Sequence, residues 1–65
     1  MTLQETIKAI MSSTIKVEDI ASAKTLLENE IAACEDVIQD PETEFHVIAE
    51  YRSMRTTYLK CLNRL

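Results

Sequence analysis

Val37-Ile38-Gln39-Asp40-Pro41-Glu42-Thr43-Glu44-Phe45-His46 decides the fold of this chain. The stretch holds its one proline, and there is no glycine anywhere. Proline lacks the N–H that a helix interior needs but fits a first helical position, where a preceding Asp can cap the free N–H groups. Asp40-Pro41 therefore predicts the end of one helix and the immediate start of another. Glu42 and Glu44 would then sit at the positive end of the new helix dipole.

Working outward, both flanks are helical in period. The second helix is expected from about Val17 to Gln39. Ile20, Ala23, Leu26, Leu27, Ile31, Ala33, Cys34, Val37 and Ile38 share one arc of roughly 160°, and Glu30 falls inside it. The third helix is expected from about Pro41 to Asn63. Val47, Tyr51, Met54, Tyr58, Cys61 and Leu65 recur at steps of four and three, and Ile48, Leu59 and Leu62 widen the stripe. A first helix is expected from about Leu3 to Ser12, opened by the capping box Thr2-Leu3-Gln4-Glu5, with Leu3, Ile7, Ile10 and Met11 on one face. The run Ser12-Ser13-Thr14 breaks it, because short hydroxyl side chains compete for backbone hydrogen bonds. No period-2 alternation predicts a strand. The expected fold is all-α: one domain over residues 1–65, an antiparallel helical hairpin with a short N-terminal helix.

A link of one or two residues would set residues whose numbers sum to about 80 side by side. Arg52 would lie level with Glu28, and Lys60 near Asp19. Residues 18–44 carry nine acids against Lys24, net −8, whereas residues 45–65 carry Arg52, Arg55, Lys60 and Arg64 against Glu50, net +3. An acidic helix beside a basic one suits self-pairing at least as well as binding DNA. The overall charge of −4 argues against nucleic acid as partner, since a basic footprint is what phosphate binding requires.

Sixty-five residues make a marginal core, and chains this small usually lean on a staple, a metal or a partner. A two-helix seam buries a narrow stripe on each helix, and both arcs are wider than that. The surplus predicts contact with another protein, or with a second copy. Val47, Tyr51, Met54, Tyr58 and Leu62 on the third helix, with Leu26, Ala33 and Val37 on the second, are the expected partner-binding residues. Tyr and Met are favoured at interfaces. Glu30 needs a cation from Arg52 or Arg55, and failing that it marks where the arc meets water or another protein.

Catalytic and ligand-binding readings find little to stand on. Cys34 and Cys61 would be about 22 Å apart along the hairpin axis, beyond the roughly 7 Å reach of a disulfide, so both are expected as buried thiols that pack as small hydrophobes. Cys34 and His46 would be level across the turn, but His46 projects to the polar face with no residue to orient its imidazole. One His and two distant Cys make no metal set, and the acids around Pro41 lack the glycine and spacing of a calcium loop. No enzyme, cofactor or metal is expected. No apolar run suits a membrane span, and the N-terminus lacks the pattern of a secretion signal. The expectation is a cytoplasmic chain with reduced thiols.

The Met1-Thr2-Leu3 start, the Val37-Ile38-Gln39-Asp40-Pro41 turn, the acidic balance and the short first helix together resemble the small needle-subunit co-chaperones of bacterial type III secretion systems. That resemblance implies a non-enzymatic role: binding a second, helical-repeat chaperone, and with it keeping the needle subunit unpolymerised in the cytoplasm. Two other readings remain open. One is a homodimeric helical-bundle phage or plasmid regulator that binds a host protein, and the other a nucleic-acid-binding regulator.

Overall fold

A computed structural model describes residues 2–65; Met1, with its share of the N-terminal readings, lies outside them. The fold is an all-α hairpin with a short N-terminal helix, as expected. Helix α1 covers Leu3–Met11, α2 covers Ile20–Gln39 after a 3-10 turn at Val17–Asp19, and α3 covers Phe45–Asn63. The long helices pack on each other and α1 packs on both of them, so the first helix serves its own hairpin.

Thr2 caps α1, its hydroxyl accepting from the Glu5 N–H at 3.2 Å. At the other end Ser13 adopts a left-handed backbone, φ 59°. The Thr14 N–H donates to the Ala9 carbonyl at 2.8 Å and the Ser13 N–H to the Ile10 carbonyl at 3.1 Å. These are the two bonds of a Schellman stop, in which glycine is the usual left-handed residue. The hydroxyl run thus ends the helix through backbone geometry. The Ser12 hydroxyl adds a bond to the Lys8 carbonyl at 2.7 Å.

The central turn corrects the expected start of the third helix. Asp40 is extended (φ −71°, ψ 118°), as a residue before proline prefers. Its carbonyl accepts from the Thr43 N–H at 3.1 Å, and its carboxylate accepts from the Glu42 N–H at 2.9 Å. Pro41 is therefore the second residue of a β-turn, the other position its fixed φ suits. The Asp40 side chain is committed to that turn and caps no helix. The α3 helix starts at Phe45 with Glu44 as an N-cap whose side chain makes no capping bond.

Residues 40–44 thus link the helices, several more than expected, and the register moves with them. The ion pair across the hairpin is Arg55 with Glu35 at 4.0 Å, so level residues sum to about 90. Arg52–Glu28 and Lys60–Asp19 are not among the ion pairs of the described residues.

Ile10, Ala23, Leu27, Cys34, Tyr58 and Cys61 form the core, ringed by Leu3, Ile7, Ile15, Ile31, Tyr51, Met54, Leu62 and Leu65. Thr6 is buried with them, its hydroxyl satisfied by donating to the Thr2 carbonyl at 2.8 Å. Arg64 Nη1 donates to the Met11 carbonyl at 3.1 Å. A cation at the open C-terminal carbonyls of α1 complements that helix's negative end. Among the described residues no helix is long and apolar enough to cross a membrane.

Candidate protein-binding surface

The α1 helix defines what stays open. Thr6 shares a groove with Asp19, Ser22, Ala23 and Leu26, so α1 lies along the Leu26 edge of α2. Nine residues of helix reach about 13 Å, against about 30 Å for the 20 residues of α2 at 1.5 Å per residue. The Leu26 edge of α2 is thus a lane longer than α1, and its part toward the turn lies beyond the reach of α1. Glu30, Ala33 and Val37 follow Leu26 there at steps of four and three, which keeps them on one edge. Leu26, Glu30 and Val37 are half-buried and Ala33 is exposed.

Glu30 is the informative residue of that edge. Arg55, one of its two expected partners, lies against Glu35 instead, and no ion pair to Glu30 occurs among the described residues. Glu30 lies close enough to Cys34 to act on its thiol. Burial first, and the Glu30 carboxylate second, push that thiol above its ordinary range, with Arg55 opposing them. Burial does the same to Cys61, opposed by Arg64, and to the Tyr58 phenol, where the Cys34 charge adds to it. A thiol held protonated is a poor nucleophile and a poor ligand.

The α3 half of the expected set divides. Val47, Tyr51, Met54 and Leu62 are half-buried, and all of these except Val47 pack on the core. Tyr58 is 5% exposed and belongs to the hairpin's own interior, so it offers little to a partner. The exposed large hydrophobics lie elsewhere, at Met11, Val17, Phe45 and Leu59. Leu59 was visible in the sequence as the margin of its stripe. Phe45 was outside the stripe read from the sequence, which began at Val47.

The other constellations resolve by placement. Cys34 is level with about residue 56 in the observed register, some ten positions or about 15 Å from His46, so the two are not level across the turn. Contrary to expectation His46 does have a carboxylate beside it, Glu44 Oε2 at 3.3 Å from Nδ1, but both side chains are exposed. Cys61 falls level with about Asn29, about 7 Å along the axis from Cys34 rather than about 22 Å. Adding an interaxial spacing of 8–10 Å still leaves the pair beyond the roughly 7 Å reach of a bridge, and both thiols are free. Among the described residues no three His, Cys, Asp or Glu side chains gather as a metal site. A second depression, on the outer side of α2, is lined by Ala21, Ser22, Thr25, Leu26 and Asn29, none of them a general acid or base. No protein-family model, curated protein or solved structure matches the chain.

Proposed function

We propose that this chain is a non-enzymatic protein-binding module whose partner lays an amphipathic helix in the lane that α1 leaves open. The observation that carries this reading is Glu30, a half-buried carboxylate without an ion-pair partner among the described residues, set between Leu26, Ala33 and Val37. Burying such a group in an apolar strip is costly unless a partner satisfies it. A cation on an incoming helix does so, while its apolar side chains cover Leu26, Ala33, Val37 and the half-buried Val47.

Within that class, the resemblance to needle-subunit co-chaperones of type III secretion supplies the particular role. The chain would act in the cytoplasm, with a second chaperone, on a subunit that polymerises through amphipathic helices. A small hairpin with an unfilled helix lane is a suitable cover for such a face.

The test is affinity capture with the native chain and with Val37→Asp, followed by identification of what co-purifies. A specific partner that the variant loses, with its helical signal intact, supports the reading. Equal capture by both removes this edge from the interface. Tyr51→Asp and Met54→Asp are poorer probes, because both residues pack on the core and a charge there unfolds the hairpin.

A further inference from the structure

The opposite side of the hairpin carries a second row on each long helix. On α3, Phe45, Ile48, Arg52, Arg55, Leu59 and Leu62 recur at steps of three and four. On α2, Lys24, Glu28, Ile31, Glu35 and Ile38 do the same. The Arg55–Glu35 contact puts both rows on one side of the hairpin. Glu35 lies nine residues from Leu26, which is half a turn around the helix, so this side faces away from α1 and from the open lane.

This side is apolar and also charged in an ordered way. Phe45 is 81% exposed and Leu59 44%, and Ile31, Ile38, Ile48 and Leu62 are half-buried. The α2 row is mainly acidic through Glu28 and Glu35, and the α3 row is basic through Arg52 and Arg55. Arg52 has no ion-pair partner among the described residues.

We infer that this side binds a second copy of the chain, and that the two-fold axis runs parallel to the helices. Two hairpins can stack face to face about either of two dyads. A dyad across the helices sets α2 on α2 and α3 on α3, bringing acid onto acid and base onto base. A dyad along the helices sets α2 of each copy on α3 of the other, bringing acid onto base. Only the second is attractive, and it leaves heights unchanged. Ile31 then meets the level of Leu59 in the second copy, and Arg52 comes within about one helical turn of the second copy's Glu35. The product is an antiparallel four-helix bundle, with both copies of α1 on its outer flanks. The molecule measures 40 × 19 × 18 Å, so the outline of one long face, covered from end to end, is on the scale of the roughly 800 Å² per partner of a stable interface. The inference stands apart from the proposed function, because it uses the other side of the molecule and is tested with no other protein present.

Sedimentation equilibrium of the purified chain reads the mass directly. The expected result is a concentration-dependent species of twice 7.4 kDa. Leu59→Glu and Arg52→Glu each raise the dimer dissociation constant at least tenfold, while Lys60→Glu, the same charge reversal on the outer side of α3, leaves it unchanged. Arg52→Glu carries the test if Leu59→Glu loses helical signal. With Cys34 and Cys61 both replaced by Ala, so that neither can pair with the introduced thiols, a mixture of Ile31→Cys and Leu59→Cys chains, oxidised with glutathione, then favours the mixed disulfide over either self-disulfide. A monomer at all concentrations, a dimer indifferent to Arg52→Glu, or a predominance of the self-disulfides overturns the inference.

Discussion

The two ends of the hairpin carry similar amphipathic arcs but differ in what those arcs become. At the end that α1 covers, Leu27 and Cys61 are fully enclosed, and Thr6, Ile10 and Ala23 nearly so. At the turn end Val37, Ile38, Val47 and Ile48 are only half-buried, and Phe45 is mostly in water. A third helix makes the difference. Two helices alone share a narrow seam, and a third lying along the groove between them closes the flanks of both. The core runs on toward the turn through Cys34 and Tyr58, but only where the nine residues of α1 lie are the flanks of the seam closed as well. How much of the hairpin's flanks is closed is thus set by the length of one short helix.

Truncation at each end puts that contrast to its hardest test. Leu27→Ala removes a side chain with no exposure and is expected to cost about 3–5 kcal/mol, the range for a cavity in a closed core. Native small domains hold only about 5–15 kcal/mol in total, so the variant sits at the edge of folding. Ile38→Ala, at the half-buried end, is expected to cost well under half as much. Urea unfolding followed by circular dichroism compares them. Equal losses would mean that the turn end is as tightly held as the other, and the division into core and surface would fail.

The alternating steps of four and three made the hairpin legible, as did the hydroxyl run after Met11. The register was not legible. Asp-Pro serves as well inside a β-turn as at the start of a helix, and the choice between them moved every cross-hairpin pair, replacing Arg52–Glu28 with Arg55–Glu35. The Arg64 bond to the Met11 carbonyl spans 53 residues, and no local pattern encodes it. At the candidate surface, the arc placed Leu26, Ala33 and Val37 among nine apolar residues, and only the position of α1 sets them on one edge. Tyr58 was misplaced among the partner residues because the centre and flank of an arc look alike until the covering helix is located. Thr6 was missed because a threonine that bonds its own preceding turn reads as polar in sequence and behaves as core in the fold.

The buried thiols should also respond to alkali. Cys34 and Cys61 are held above the ordinary thiol range chiefly by burial. In the unfolded chain thiols ionise near pH 8.5. Above that pH the unfolded state loses protons that the folded state keeps, so stability falls as pH rises until the folded thiols ionise in turn. Below it the contribution is fully present. The urea midpoint is expected to drop between pH 7.5 and about pH 10, and to drop less in Cys61→Ala, measured against that variant's own value at neutral pH. An unchanged slope in the variant would show that Cys61 is solvated in the folded state and that the α1 end is looser than its burial indicates.

The smallest effect concerns the joint that aims α1 at the hairpin. Ser13 takes φ 59°, which costs an L-residue with a side chain about 1–2 kcal/mol, whereas glycine adopts it freely. Glycine also gives the unfolded chain more freedom, which offsets part of the gain. Ser13→Gly is therefore expected to stabilise by about 0.5–1 kcal/mol, a rise of a few degrees in melting temperature for a domain of this size. The gain should appear only while α1 is docked. Combined with Arg64→Ala, which removes the bond to the Met11 carbonyl, it should shrink, because a glycine at the stop matters less when the helix it ends is no longer held. Full additivity of the two changes would show that the Schellman stop and the arginine act independently, and the short helix would then owe its position to apolar packing alone.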